Sequence, residues 1–577
     1  MRILIYQRRS TLCVAMICCC AMLGSWGCSS AKQPDPAEDW QAFRNEFLEG
    51  YFQRNPEFAV YQGRHEFDGR LTDWSQAGIA DKIDFLKRSR TAAQQFDAAG
   101  LAEPERFERQ YVIHVIDGDL YWLETAGWPS KNPFYYAGFI DPNVYLTREY
   151  APLAVRLRSY IAYCNALPRL LEQMRSNLRL PLPKTYVAIG RTIFGGMASY
   201  MEKDVPAIFA AVRNQDLQQQ LKKATATSVG ALEQFDSWLG RQEPSSTDQY
   251  AMGPDLFSRM LAATEEVDLP LEHLEEIGRE DLARNTEALK LACARFAPGK
   301  SLAGCVAAMQ AHKPAGGPVE AAREQLRELR QFIVDKDLVT IPGTEQAKVA
   351  ESPPHMRWNL GYIDIPGPYE KNLPSTYYIA PPDPKWSEAE RRAYIHGEAD
   401  LLFVSAHEVW PGHFLQFLHS NSAPSKVGQV FVDYAFAEGW AHYAEEMIWD
   451  AGLRAGDPET HVGQLTNALL RDVRYLSAIG LHTGRMTVAE SEKMFREQAF
   501  QDPGSARQQA ARGTFDPAYL NYTLGKLMIR KLRDDWTATR GGRQAWKEFH
   551  DQFLSYGGPP IPLVRRAMLG DNAGPPL

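Results

Sequence analysis

Cysteine is scarce in this chain, and most of it lies at one end. Five of the 8 cysteines among 577 residues fall within the first 28, which leaves Cys164, Cys293 and Cys305 in the body of the chain. There is no Cys-x-x-Cys pair and no cluster of cysteine with histidine, so we expect no metal site built from thiolates. In an oxidising compartment Cys293 and Cys305 could pair across the turn at 296–299 and leave Cys164 buried and free; three buried thiols are the alternative.

An excess of positive charge is absent as well. The chain has 63 Lys and Arg against 71 Asp and Glu, a formal net charge of −8 at pH 7. It also has no basic stripe with interleaved aromatic residues, and both observations argue against a nucleic-acid-binding protein. The 45% of hydrophobic residues is ordinary for a globular protein, and the length allows about two to four domains or one large helical body.

Long apolar runs are few, and the clearest one lies near the N-terminus. Three arginines precede an apolar stretch at 12–23, and Gly27-Cys28 and a polar segment follow it. This order predicts a signal peptide over residues 1–27, and the small residue before Cys28 resembles the cleavage site of a bacterial lipoprotein. We therefore predict lipidation at Cys28 and a polar tether at 28–37. Ordinary signal cleavage and an uncleaved anchor are the alternatives, although the run is short for a membrane span.

A lipid anchor would place the protein in the cell envelope. We expect the periplasmic side, with the membrane as a partner through Cys28, and Ser29 after that cysteine favours the outer membrane where the organism has one.

From about residue 38 onward, apolar residues recur at helical spacing, and Pro and Gly clusters separate the stretches. The predicted helices are 38–62, 74–98, 103–125, 149–178, 197–222 and 271–297, and then 386–396, 398–421, 427–452, 458–485, 487–500, 518–540 and 542–555. Between them, 338–342, 355–362 and 375–379 are β-branched and aromatic, which predicts a small antiparallel β-sheet. The fold class is thus mainly α, with an N-terminal helical region at 38–337 and a second region at 338–577.

The most informative stretch is His407-Glu408-Val409-Trp410-Pro411-Gly412-His413, followed 25 residues later by Glu438. Two imidazoles and a carboxylate from a neighbouring helix suit Zn²⁺, and three protein ligands leave a fourth position for water. A further glutamate that is not a ligand can accept a proton from that water. The residue types therefore resemble the zinc site of a metallopeptidase.

The spacing of the two histidines is unusual. Six residues along an unbroken helix correspond to about 240° and about 9 Å of rise, so His407 and His413 could not share one ion. Pro411 cannot donate a hydrogen bond to the carbonyl of His407, and its ring clashes there. Gly412 tolerates non-helical backbone angles. A bulge or kink at this point could bring His413 back to His407.

Two motifs carry a resemblance to a known family. Their residues are His407, Glu408, Pro411, Gly412, His413 and Gln416 in the first and Glu438, Gly439, Trp440, Ala441, Tyr443 and Glu445 in the second. The pair resembles bacterial domain of unknown function 885, a family usually grouped with the gluzincin metallopeptidases, from about residue 40 to the C-terminus. The resemblance implies a helical fold with a small sheet and a deep central cleft. It also implies a Zn²⁺ cofactor bound by His407, His413 and Glu438, with Glu408 as general base.

Other residues carry expectations of their own. His442 lies four residues after Glu438 on the same helix face, so these two could form a metal pair by themselves. The family pattern does not require this histidine, and we favour packing or support of the site. Glu445 is a candidate acceptor for a ligand histidine, or a solvent-facing carboxylate.

Downstream, Gly480-Leu481-His482 and Tyr522 resemble family segments, and Arg474 is a further candidate near the substrate. In related gluzincins a His and a Tyr at such positions donate hydrogen bonds to the tetrahedral oxyanion, which implies catalytic roles for His482 and Tyr522. Tyr377 and Tyr378 lie on the predicted strand that would hold an extended peptide. For all of them, simple packing is the alternative.

The predicted function is zinc-dependent hydrolysis of short peptides. Zinc would polarise the scissile carbonyl and lower the pKa of water towards roughly 7, and Glu408 would carry the proton to the leaving amine. The alternatives are a lipid-anchored, non-catalytic peptide- or metal-binding protein and a zinc hydrolase of a non-peptide amide or ester. The presence of both histidines and both glutamates favours an enzyme.

Overall fold

The computed structural model describes residues 36–353, 356–357, 359–384, 386–570 and 573–577. The predicted signal peptide, Cys28 and nearly all of the tether lie outside these residues, as do His355 and Trp358 of one predicted strand segment. Within the described ranges, no helix combines the length and the apolar character that a membrane span needs.

The chain up to residue 336 is helical. Its helices are α1 (Pro36–Arg54), α2 (Pro56–Tyr61), α3 (Gln76–Gln95), α4 (Glu103–Leu120), α5 (Asn143–Thr147), α6 (Leu153–Asn177), α7 (Lys184–Lys203), α8 (Val205–Ile208), α9 (Gln215–Gly240), α10 (Pro254–Glu265), α11 (Leu271–Phe296), α12 (Leu302–Ala311) and α13 (Pro318–Lys336). The predicted helix at 197–222 is wrong. Pro206 interrupts the chain after α7, and the Asn214 side chain caps the N-terminus of α9 by accepting a hydrogen bond from the Leu217 amide, 3.0 Å away.

A small sheet follows. Its strands are β1 (Lys348–Glu351), β2 (Gly361–Asp364) and β3 (Thr376–Ile379), in the order β1-β3-β2. The β2 and β3 strands are antiparallel, as predicted, but β1 runs parallel to β3, so the sheet is mixed. The predicted strand at 338–342 is also wrong. Leu338 and Val339 are buried in the core instead, and the carbonyl of Leu338 accepts a hydrogen bond from His550 Nδ1.

Helices resume after the sheet and complete a mainly α fold, which confirms the predicted class. They are α14 (Glu388–Tyr394), α15 (Glu398–Glu408), α16 (His413–Ser420), α17 (Lys426–Val430), α18 (Tyr434–Asp450), α19 (Pro458–His482), α20 (Val488–Glu497), α21 (Pro503–Phe515), α22 (Asn521–Thr537), α23 (Trp546–Ser555) and α24 (Ile561–Leu569). Nearly every residue of α19 is buried, so this helix runs through the interior rather than along the surface.

Two hydrophobic cores hold these helices. One joins buried residues between 40 and 239 to α17, where the Tyr111 hydroxyl donates to the Phe431 carbonyl. The other joins α10–α13 to the sheet and to the helices after it. The division into regions at 337/338 stays a prediction. The deep central cleft also stays a prediction.

The cysteines of the body follow the first of the two predicted arrangements. Cys293 at the end of α11 forms a disulfide with Cys305 in α12, across a sequence separation of 12 residues. Cys164 is a free thiol inside α6, and burial raises its pKa to about 12, which makes it a poor nucleophile.

Candidate metal centre

The helix that carries the first motif is broken between its two histidines. α15 ends at Glu408 and α16 begins at His413, so the predicted helix 398–421 is two helices. The Gly412 amide donates to the Ala406 carbonyl at 2.9 Å. A Cβ on Gly412 would stand 1.8 Å from the carbonyl oxygen of His407, so only glycine fits this close approach. The break lies at the predicted Pro-Gly step and replaces the expected bulge.

A second helix holds this break in place and supplies the third residue of the group. The Asp433 side chain caps α18 by accepting a hydrogen bond from the Ala435 amide, 3.0 Å away. Further along α18, Trp440 Nε1 donates to the Pro411 carbonyl at 2.8 Å. Glu438 lies between them and faces α15 and α16.

The structure brings His407, His413 and Glu438 together. Nε2 of His407 lies 3.2 Å from Glu438 Oε2, and Nε2 of His413 lies 3.3 Å from the same oxygen. The two imidazoles are almost perpendicular, at 87°, with ring centres 4.8 Å apart. One ligand atom from each of the three residues lies within 4.8 Å of the other two.

The two distances to Glu438 Oε2 fit a zinc ion. Ligand atoms at 2.0–2.1 Å from zinc in a tetrahedron are about 3.3 Å apart, close to the separations of the two Nε2 atoms from Glu438 Oε2. Two imidazoles and one carboxylate are also a donor set of catalytic zinc sites, which leave one position open.

His407 is oriented by a buried carboxylate. Its Nδ1 lies 2.7 Å from Glu445 Oε1, and Arg471 Nη2 lies 3.1 Å from the same oxygen. Burial alone would raise the pKa of Glu445, but the Arg471 charge and the hydrogen bond from His407 hold it well below its ordinary value. An ionised Glu445 accepts a hydrogen bond from the Nδ1–H group of His407. The lone pair of His407 Nε2 is then left on the side of Glu438 and His413. Glu445 therefore supports the site, and it does not face solvent.

Sequence reasoning missed Arg471. A sequence signal is its position directly after the apolar run Ala468-Leu469-Leu470, because a charged residue in a segment that packs into a core needs a partner.

His442 lies behind the group rather than in it. Its Nδ1 is 3.7 Å from Glu445 Oε2, and both ring nitrogens are enclosed without a hydrogen-bond partner in the described part of the chain. Burial lowers its pKa to about 4, so the ring is neutral.

Glu408 follows His407 in the chain, and its carboxylate forms no hydrogen bond with the three-residue group. No residue in the described ranges forms a hydrogen bond with its partly exposed carboxylate. Burial raises its pKa to about 7, and Glu438 adds to this while His413 opposes it. A carboxylate with this pKa can accept and release a proton near neutral pH.

Tyr522 on α22 lies beside His407, and Arg474 on α19 lies beside Tyr522. The Tyr522 ring lies nearly parallel to that of His407, at 20° with centres 6.1 Å apart, and the Arg474 guanidinium carbon is 4.8 Å from the Tyr522 ring centre. Close packing of α22 on α18 allows this, since a Cβ on Gly525 would stand 2.0 Å from the Ala435 carbonyl oxygen.

His482 is not brought to the group. Its Nε2 donates to the Gly513 carbonyl at 2.8 Å, and its ring stacks on Phe257 at 5.7 Å. It lies eleven residues after Arg471 on α19, which corresponds to about 16 Å.

Neither tyrosine of β3 forms a hydrogen bond or a ring contact with His407, His413 or Glu438. Tyr377 is fully buried, and burial and the Glu408 charge raise its pKa far above the ordinary value. Tyr378 points to the other side of the sheet, where its ring stacks on Tyr362 at 5.1 Å.

Fold and site together define a mainly helical protein with a His–His–Glu group of metal-binding type at a helix break. The chain belongs to the family described as bacterial protein of unknown function (DUF885), whose sequence model matches residues 56–568. No curated protein matches the sequence.

Two solved structures share the fold. A candidate lipoprotein of unknown function from Shewanella oneidensis is 23% identical with a TM-score of 0.75, over 92% of this chain and 99% of that one. A candidate lipoprotein from Colwellia psychrerythraea is 16% identical with a TM-score of 0.76, over 92% and 98%. A candidate oligoendopeptidase F from Bacillus anthracis overlaps at a TM-score of 0.32 and 13% identity, over 86% and 93%, which is too low to support an inference.

Proposed function

We propose that this protein is a zinc-dependent hydrolase that cleaves peptide bonds in short peptides. The observation that carries the proposal is the convergence of His407 Nε2 and His413 Nε2 on Glu438 Oε2, at 3.2 and 3.3 Å, next to the free carboxylate of Glu408. His407, His413 and Glu438 would hold the ion. A zinc ion there supplies Lewis acidity towards a carbonyl oxygen and lowers the pKa of water.

Glu408 is the proposed general base. Its carboxylate follows the proposed ligand His407 and has no competing hydrogen bond from the described residues, so it is free to exchange a proton with water. It takes a proton from the attacking water and delivers it to the nitrogen of the leaving amine.

Tyr522 is the proposed donor to the developing oxyanion. Burial and the charge of Glu438 raise the pKa of its phenol, although Arg512 and Arg474 oppose this, so the hydroxyl keeps its proton at neutral pH. A protonated phenol beside His407 can donate a hydrogen bond to the negative oxygen that forms during hydrolysis. His482 is too far along α19 to share this role.

We further propose that the protein is anchored in the cell envelope through a lipid on Cys28. Support comes from the apolar stretch at 12–23 followed by Gly27-Cys28 and from the two candidate lipoproteins with the same fold. Metabolic labelling with a palmitate analogue should mark the native protein and spare Cys28→Ser.

Two measurements test the hydrolase. Purified protein should contain about one zinc ion per chain, and Glu408→Gln should keep the zinc while losing cleavage of a peptide library read by mass spectrometry. His413→Ala should lose both. Full activity in zinc-free protein would exclude the proposal. Zinc binding without cleavage of any peptide, ester or amide would favour a binding protein.

A further inference from the structure

Arg474 is a buried cation without an anion. Its exposed fraction is 8%, and it forms no ion pair with any of the described residues. Its one hydrogen bond within the described ranges runs from Nε to Gln509 Oε1, 2.8 Å away. A guanidinium in such surroundings without a carboxylate is unfavourable, because no opposite charge offsets the loss of its hydration.

The neighbouring cations do not share this condition. Arg512 lies 2.9 Å from Asp516 Oδ2 and also donates to the Tyr434 hydroxyl, and Arg471 is paired with Glu445. Burial and the charge of Arg512 lower the pKa of Arg474. Of the three arginines, Arg474 alone has no carboxylate partner in the described part of the chain.

The free part of Arg474 is the part that recognises carboxylates. Because Nε is bound to Gln509, Nη1 and Nη2 remain as a planar fork, and neither is among the fully enclosed unpaired atoms. Such a fork matches the two oxygens of a carboxylate.

The distance between Arg474 and the His407–His413–Glu438 group limits which carboxylate of a substrate could bind to Arg474. The Arg474 guanidinium carbon is 4.8 Å from the Tyr522 ring centre, which is 6.1 Å from the ring centre of His407. The guanidinium thus lies within about 11 Å of the His407 ring, and one extended peptide residue spans about 3.5 Å. Once room is left for a salt bridge at one end and the ion at the other, one or two residues fit between them.

We propose that Arg474 binds the free C-terminal carboxylate of the substrate, so that the protein removes one or two residues from the C-terminal end of short peptides. This inference rests on the proposed peptidase function. An acidic side chain offers the same chemistry, and the experiment separates the two sources.

The test uses three peptides of one sequence and the zinc-loaded protein. The first ends in a free carboxylate, the second in an amide, and the third in an amide with a glutamate as its last residue. We expect kcat/KM for the free acid to exceed that for the plain amide at least about tenfold, as for a charged hydrogen-bonded pair. Mass spectrometry should show the release of one or two C-terminal residues.

Variants test whether Arg474 causes the preference for a free C-terminal carboxylate. Arg474→Gln should remove the difference in kcat/KM between the free acid and the plain amide while zinc content stays unchanged, and Arg474→Lys should restore part of that difference. The control is Arg485→Gln, which should behave as the native protein. Arg485 is an exposed arginine just after α19, and it pairs with Glu275.

The outcomes separate the two proposals. Equal cleavage of acid and plain amide by the native protein, or cleavage at interior bonds, would overturn the role of Arg474 and leave the peptidase intact. If the glutamate peptide were cleaved as fast as the free acid, the arginine would recognise a side chain and the C-terminal assignment would be wrong. If no peptide were cleaved at all, the peptidase proposal itself would fall. If Arg474→Gln does not fold, the comparison of the three peptides with the native protein still tests the proposal.

Discussion

His407 Nδ1 lies 2.7 Å from Glu445 Oε1, across 38 positions of sequence, and Arg471 binds the same carboxylate oxygen. The carboxylate is completely buried, so it has no alternative partner in solvent. One histidine nitrogen is therefore committed to the protein interior, and the other is presented to Glu438 and His413.

Replacing Glu445 by Gln should lower zinc affinity by about 10- to 100-fold, because the imidazole loses its ionised acceptor and Arg471 loses its charge partner. Competition with a chromophoric chelator measures this directly. The matched control is Glu497→Gln, an exposed glutamate on α20 near Lys493. Equal affinities for the two variants would mean that Glu445 does not orient His407.

Features of this site that depend on residues close together in the sequence could be predicted, and features that depend on packing between helices could not. The break at Pro411-Gly412 follows from backbone chemistry within seven residues, so the sequence predicts it. The position of Glu438 follows from the next motif. The pairing of Arg471 with Glu445 could not be predicted in this way, because the two residues lie on different helices and only packing brings them together.

Non-local packing also explains the errors. The parallel pairing of β1 with β3 depends on where the chain crosses between 351 and 376, which residue types do not specify. His482 has the composition of an oxyanion donor, yet its distance from the metal group is set by the length of α19. A motif gives residue types without giving their separation in space.

Gly412→Ala should destabilise the fold by about 1–3 kcal/mol and weaken zinc binding, since the added Cβ would stand 1.8 Å from the His407 carbonyl oxygen. Urea unfolding and chelator competition measure the two effects. Gly196→Ala in α7 is the matched control, because nothing lies within 4 Å of its added Cβ. That change should stabilise the helix by up to about 1 kcal/mol. Similar behaviour of the two variants would show that the break accommodates a side chain.

Asp472→Asn should become more stable relative to the native protein as pH rises. Burial raises the pKa of Asp472 to about 8, the Asp281 charge adds to this and Lys526 opposes it. Because the folded-state pKa lies above the unfolded value near 3.8, the stabilisation from the bound proton is complete below pH 4 and is lost between about pH 4 and pH 8. Asparagine does not titrate and avoids this loss.

The gain should amount to at least about 1–2 kcal/mol between pH 5 and pH 8, because a tenfold difference in proton affinity between the folded and unfolded protein corresponds to about 1.4 kcal/mol. Urea unfolding of both proteins at the two pH values gives the difference. Asp335→Asn on the exposed face of α13 should show no such trend. A stability difference that stays constant over this range would contradict the raised pKa.

Zinc should stabilise the native fold. An ion that binds only the folded protein adds about 2.7 kcal/mol when its free concentration is 100 times Kd, so thermal unfolding should occur at a higher temperature with zinc than with a chelator. The increase should be absent in His413→Ala and retained in His273→Ala, which changes an exposed histidine of α11. An equal increase in His413→Ala would place the zinc elsewhere on the protein.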